Sequence, residues 1–292
     1  MRLIVVLLML LPTWAMANDC NSPSIPPEQC AETGRWQFSL AMGVGHRSNP
    51  LLGGRNFPLY LIPDLNYYGK HWFFDNGTLG YSWTLNDNTQ LSLITLLNEE
   101  KGYFRRHHLS NIFTQRVSGN YGLMGPALKS QQNIELSVAD LAKRPTALDA
   151  GWQFDWFTPM IHWKLNWLHD VSGQYHGQHA SIAASHGWQN QLGAWQVSSA
   201  LRWKSSPLMT TYYAVDPGMT AKANPLGSSW QPELKLSWSY PLTSDWSMQA
   251  FYRYRWLDEA MTQSPLVVEN SVRSWFVGVS YRFLQCMDVN WC

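Results

Sequence analysis

The chain has 292 residues, 45% hydrophobic and 14% charged, with a formal net charge of +1 at pH 7. That length allows one large domain or two small ones, and so balanced a charge excludes the basic footprint of a nucleic-acid binder. Seventeen Trp and thirteen Tyr exceed what a soluble domain of this size uses, whereas a membrane β-barrel sets such rings in girdles at both interfaces.

In chain order, residues 1–17 read as a cleaved signal peptide: Arg2, an apolar Leu3–Leu11 and the small-x-small site Ala15-Met16-Ala17. Asp19 before Cys20 argues against lipidation of that cysteine. Beyond the signal no run of about 18 apolar residues occurs, so no transmembrane helix is expected. Residues 18–34 are expected to form a periplasmic N-terminal segment, 35–283 a barrel, and 284–292 a periplasmic extension. The cysteines lie only at the ends: Cys20 and Cys30, then Cys286 and Cys292. An oxidising compartment favours pairing, and four cysteines allow three connectivities, local or end to end. Their spacing does not resemble a metal site.

The first strand sets Trp36, Phe38, Leu40, Met42 and Val44 against Gln37, Ser39, Ala41, Gly43 and Gly45. Successive side chains of a strand point to opposite faces, so alternation means one greasy and one wet surface. A loop at 46–56 leads to Pro58–Tyr68, a turn at Gly69-Lys70, and the short His71–Asp75. Asn76-Gly77 turns the chain into a strand around Leu79, Tyr81, Trp83 and Leu85, then Asn86-Asp87-Asn88 into Gln90–Leu97. Residues 98–145 break the rhythm and read as a long loop. Leu148, Ala150, Trp152, Phe154 and Trp156 restore it before the Thr158-Pro159 turn.

The clearest strand is Met160–Asp170, with Ile161, Trp163, Leu165 and Trp167 on one face and His162, Lys164, Asn166 and Asp170 on the other. Strands follow at Ala180–Trp188 and around Trp195–Trp203, then a second long loop at 205–228. The next two strands oppose Trp230, Leu234, Leu236 and Trp238 to Gln231, Glu233, Lys235 and Ser237, and Trp246, Met248, Tyr252, Tyr254 and Trp256 to Ser247, Gln249, Arg253 and Arg255. The last opposes Trp275, Val277, Val279, Tyr281 and Phe283 to Ser274, Gly278, Ser280 and Arg282.

Together these predict an all-β, single-domain transmembrane antiparallel barrel of about twelve strands, or ten if Pro58–Asp75 is partly irregular. A soluble β-sandwich is the competing architecture. Barrels of this kind keep short turns on the periplasmic side and long loops outside. Gly278, Tyr281 and Phe283 form an aromatic-ending terminal strand of the type read by barrel-assembly machinery. The outer face would meet outer-membrane lipid and lipopolysaccharide.

Several short blocks, in order, resemble the MipA/OmpV family of outer-membrane proteins. They are Gly43-Val44-Gly45-His46-Arg47 with the later Pro58–Phe74 block, Leu79-Gly80-Tyr81, and Asp170-Val171-Ser172-Gly173 with Gly177. Thr211-Tyr212-Tyr213, Leu257-Asp258, Ser264-Pro265-Leu266-Val267 and Val277–Phe283 complete the series. The resemblance implies a non-enzymatic outer-membrane scaffold joining a lytic murein transglycosylase to a penicillin-binding protein. Other members are linked to antibiotic entry, which leaves a narrow solute channel as the alternative.

Catalytic chemistry has little to rest on. His107-His108 with Ser110 and Asn111, or His169-Asp170 with His176 and His179, offer side chains for a nucleophilic or acid/base cluster, but adjacency in a loop sets no geometry. No Gly-x-Ser-x-Gly, His-Glu-x-x-His or phosphate-binding glycine loop is present. The reading calls for no catalytic residue, cofactor or metal. The lumen-lining candidates are Lys164, Arg202, Glu233, Lys235, Arg253, Arg255 and Arg282. These charges either pair across the lumen and plug it, or line a pore for small or anionic solutes.

Overall fold

The computed structural model describes residues 34–104, 144–215 and 225–283. The signal segment, all four cysteines, the His107-His108 cluster with Ser110 and Asn111, and the 284–292 extension lie outside the described residues.

Twelve antiparallel strands close on themselves. They are β1 (Trp36–Arg47), β2 (Leu61–Tyr68), β3 (Trp72–Asp75), β4 (Thr78–Asn86), β5 (Thr89–Leu97) and β6 (Leu148–Phe157). The rest are β7 (His162–Asp170), β8 (Gln178–Asn190), β9 (Gly193–Lys204), β10 (Ser229–Pro241), β11 (Trp246–Trp256) and β12 (Ser271–Arg282). Each pairs with its sequence neighbours, and β12 pairs with β1 from Ser39↔Arg282 to Arg47↔Ser274. Closure removes the exposed strand edges that a bilayer cannot satisfy. Phe57–Pro58 pairs with Arg47 and His46 and extends β2 after a one-residue slip of register.

The predicted alternation sets the two faces. On β6, Trp152 and Trp156 are exposed while Asp149 and Asp155 are buried; on β7, Leu165 and Trp167 point out while Lys164 and Asn166 point in. Outward rings meet across strands, as in Trp83–Trp152, Trp188–Trp195, Trp195–Trp238 and Trp203–Trp230. So broad an apolar belt on the outside is the surface lipid requires. At one end, Tyr281 packs against Trp246 and Phe283, and Phe283 stacks on Phe38.

The short His71–Asp75 strand forms, reduced to the four residues of β3. Its tip is the two-residue turn Asn76-Gly77, with φ of 47° and 91°, the left-handed pair that hairpin twist demands. Asn76 is buried and stands in for a strand residue: its N–H donates to the Leu65 carbonyl and its Oδ1 accepts from the Leu65 N–H. Its Nδ2 donates to Asp64 Oδ1 at 2.6 Å. Beyond this tip, at the next β2 position facing away from β1, stands Pro63, which has no N–H to leave unpaired.

Connections differ between the two ends. One end has short turns, such as Gln191-Leu192 between β8 and β9; the other has all the long connections. The second long loop is not wholly irregular, because Ser206–Tyr213 forms helix α1 with Pro207 in its first turn. The long connections fold together into an apolar cap. Leu51, Tyr103, Ala147, Tyr175, Leu208, Met209, Tyr212, Tyr213, Met261 and Val267 share one buried cluster there.

Apolar side chains also occupy the inner face, at positions whose parity is that of the wet surface. Phe251 and Phe276 stack inside with Ala41, Leu59 and Ile62. Phe73 packs inside against Ile94, Leu96 and Leu168. Gly43 pairs with Gly278 across the β1–β12 closure, and a Cβ on Gly278 would meet Met42 O at 2.3 Å and the Phe276 ring at 2.6 Å.

Candidate functional site

Beneath the cap, β9, β10 and β11 bring most of the charged lumen residues together. Register sets Glu233 opposite Arg255, and Lys235 opposite Arg253. The Glu233 carboxylate receives Arg255 Nε at 2.7 Å, Arg202 Nε at 3.4 Å and Arg253 Nε at 3.6 Å. Lys235 is 2% exposed, with its ammonium 5.6 Å from the Phe251 ring centroid. The ring face supplies the negative side of its quadrupole to that cation.

The chain leaving β5 drops two more carboxylates into this cluster. A 3₁₀ turn over Glu100–Tyr103 positions them. Glu99 Oε1 lies 3.2 Å from Arg202 Nη1 and 3.4 Å from Arg255 Nη1. Lys204 Nζ reaches Glu100 Oε1 at 2.6 Å, and the Tyr213 hydroxyl donates to Glu100 Oε2. Arg47 lies over the Tyr103 ring, 4.6 Å from its centroid. Burial alone would raise the Glu99 carboxyl, but the Arg255 and Arg202 guanidiniums override it and hold Glu99 well below the usual carboxylate range. Burial, with Glu100 beside it, pushes the Tyr213 phenol well up, so it stays a donor.

Two smaller polar clusters complete the lumen. Asp149 is fully buried and gathers Asn98 Nδ2 at 2.6 Å, Tyr175 OH at 2.7 Å and His179 Nε2 at 2.8 Å. Burial and then the Asp149 charge push the Tyr175 phenol far above its ordinary value. Toward the short-turn end, Asp155 holds Gln153 Nε2 at 2.6 Å, His162 Nε2 at 2.7 Å and Lys164 Nζ at 3.8 Å. A cavity of about 40 Å³ borders Glu99, Glu100, His179, Arg202 and Lys204. A second of about 40 Å³ borders Asp75, Gln153 and Lys164, and the two share Leu96 and Asn166.

The predicted residues are therefore scattered among distinct settings. Arg202, Glu233, Arg253 and Arg255 meet in one cluster, with Lys235 beside it; Lys164 sits apart on Asp155. Arg282 lies near the short-turn end, opposite Ser39, where its N–H donates to the Asp245 carbonyl. Among the described residues, His169, His176 and His179 do not converge. His169 is exposed on the outer face, Asp170 caps its loop by accepting from the Ser172, Tyr175 and His176 N–H groups, and His179 joins Asp149. Among the described residues no three His, Cys, Asp or Glu side chains are placed to hold a metal ion. Sequence reading missed Arg47, Glu99, Glu100, Asp149 and Lys204. The parity of β6 and β9 already puts Asp149 and Lys204 on the wet face, whereas Glu99 and Glu100 sit in sequence with no period to read.

A family model described as MltA-interacting protein MipA matches residues 40–283. The chain belongs to that family. The MltA-interacting proteins of Escherichia coli (strain K12) and Shigella flexneri are each 26% identical over 252 residues, covering 85% of this chain and 90% of theirs. Among solved structures, the NanC porin covers 85% of this chain and all of its own length at 12% identity and a TM-score of 0.40. OmpT, an outer membrane protein of Vibrio cholerae, covers 88% of this chain and 100% of its own at 8% identity and a TM-score of 0.35. The fold of this family member rests on its own strand register.

Proposed function

We propose that this protein is an outer-membrane barrel that acts without catalysis, as a docking partner for a periplasmic murein-remodelling enzyme of the lytic transglycosylase class. The observation that carries the reading is the match over nearly the whole barrel to a family described as MltA-interacting. A lumen filled by ion pairs and aromatic rings fits a wall that presents surfaces rather than passing bulk solute. The short turns, on the side where barrels of this type meet the periplasm, form the docking end. A penicillin-binding protein joins as the second enzyme of the assembly.

Photo-crosslinkers placed at Asp87, Gln191 and Ser244 in the short turns test this in cells. Capture of a murein transglycosylase, identified by mass spectrometry, is the expected result. Absence of any murein enzyme from all three positions overturns it. The second reading is a narrow solute conduit, favoured by the two cavities that share Leu96 and Asn166. Purified protein in planar bilayers would then show single-channel steps that enlarge in Leu96→Ala.

A further inference from the structure

The lumen sector from β9 round to β1 carries a lopsided charge. Its inward cations beneath the cap are Arg47, Arg202, Lys204, Lys235, Arg253 and Arg255, and its wall carboxylate there is Glu233. Buried charge of one sign requires partners of the other, because the low-dielectric interior penalises it heavily. Two carboxylates that offset part of this charge come from a connection rather than from the wall: Glu99 and Glu100, on the turn after β5. Each carboxylate has its own receiving set. Arg202 and Arg255 hold Glu99; Lys204 and Tyr213 hold Glu100. A cavity borders both carboxylates, with Arg202 and Lys204 in its wall.

We propose that this pair of receiving sets is a binding site for a small solute bearing two carboxylate groups, and that Glu99 and Glu100 occupy it in the closed barrel. Two guanidiniums converge on one oxygen of the first carboxylate, and an ammonium and a phenol take the two oxygens of the second. A free dicarboxylate competes with the chain's own carboxylates for the same donors. The site is independent of any docking at the opposite end.

Chemical rescue tests the assignment. The purified full chain in detergent is compared with the Glu99→Gln/Glu100→Gln double variant, with succinate, acetate and chloride added at matched ionic strength. Removing the internal carboxylates takes the paired carboxylate from Lys204 and leaves Arg202 and Arg255 with Glu233 alone, so the variant melts at a lower temperature. Succinate is expected to restore that melting temperature and to bind the variant at least about ten-fold more tightly than the wild type. Arg202→Gln in the same background is expected to abolish the restoration. Equal stabilisation by succinate, acetate and chloride overturns the proposal. If the double variant fails to fold, the wild-type chain decides. Saturating succinate should displace the turn and speed tryptic cleavage after Lys101, read as the fragment ending there, while acetate does not. Unchanged cleavage after Lys101 overturns it equally.

Discussion

The two halves of the lumen are built on different principles. Under the cap, buried Arg, Lys and Glu side chains hold one another, and each depends on several partners. Toward the short turns a single smaller ion cluster, Asp155 with His162 and Lys164, sits among neighbouring strands joined by small inward hydroxyls, such as Ser82–Ser92 at 2.8 Å and Ser185–Ser198 at 3.0 Å. A neutral hydroxyl pair contributes on the order of 1 kcal/mol and leaves little behind when cut. Breaking a buried ion cluster strands the remaining charges, at about 3–5 kcal/mol. Most of the buried charge is thus concentrated at the capped end, and the hydroxyl pairs of the other end tolerate change better.

Substitutions can break that contrast in graded steps. Glu233→Ala strands Arg253, leaves Arg202 and Arg255 with Glu99 alone, and is expected to cost about 3–5 kcal/mol, read from denaturant unfolding in detergent. A loss below about 1 kcal/mol would show that the capped half does not depend on its charges. Gly278→Ala forces a Cβ against Met42 O and the Phe276 ring, for an expected loss of about 1–3 kcal/mol. Rescue of Gly278→Ala by Phe276→Leu would confirm the ring as the obstacle.

A smaller effect is expected with pH. Glu99 is depressed below the usual glutamate value near 4.5. Its contribution is therefore fully present above that value and is lost as pH falls through the depressed one. Unfolding stability should be flat from pH 8 to about 5 on this account, then decline, with a shallower acid limb in Glu99→Gln. Parallel acid limbs in the two proteins would show that the Glu99 charge does not stabilise the cluster beneath the cap. Ser185→Ala, in the hydroxyl-lined half, should cost no more than about 1.5 kcal/mol by the same unfolding measurement.

The outer wall was readable from the sequence because lipid imposes a strict rule. Every second residue of a spanning strand must be apolar, so Trp152, Leu165 and Trp167 declared their face by position alone. Even the stunted β3 was marked by Gly69-Lys70 and Asn76-Gly77 on either side. The lumen obeys no such rule. Phe251 and Phe276 sit at wet-face parity yet are buried against each other, since an interior accepts any side chain that packs or finds a partner. Arg253 and Arg255 were legible as inward residues, but their shared partner Glu233 depended on strand register, and Glu99 on the path of an irregular connection. The cap was hidden for a similar reason. Leu51, Tyr103, Met209 and Met261 come from four different connections and form one core without any common period.

The four-residue β3 has a consequence for the lipid around it. A tilted spanning strand needs about 9–11 residues, and β3 with its Asn76-Gly77 tip falls well short of that. The barrel's greasy height is therefore uneven around its girth, lower beside β3 than beside the thirteen residues of β8. A bilayer meets such mismatch by thinning locally or by letting the barrel lean. Acyl chains next to β3 should be the shortest and most disordered in the annulus. The protein carries within its wall a fixed dent in the membrane's thickness, oriented toward whatever lies beside that strand.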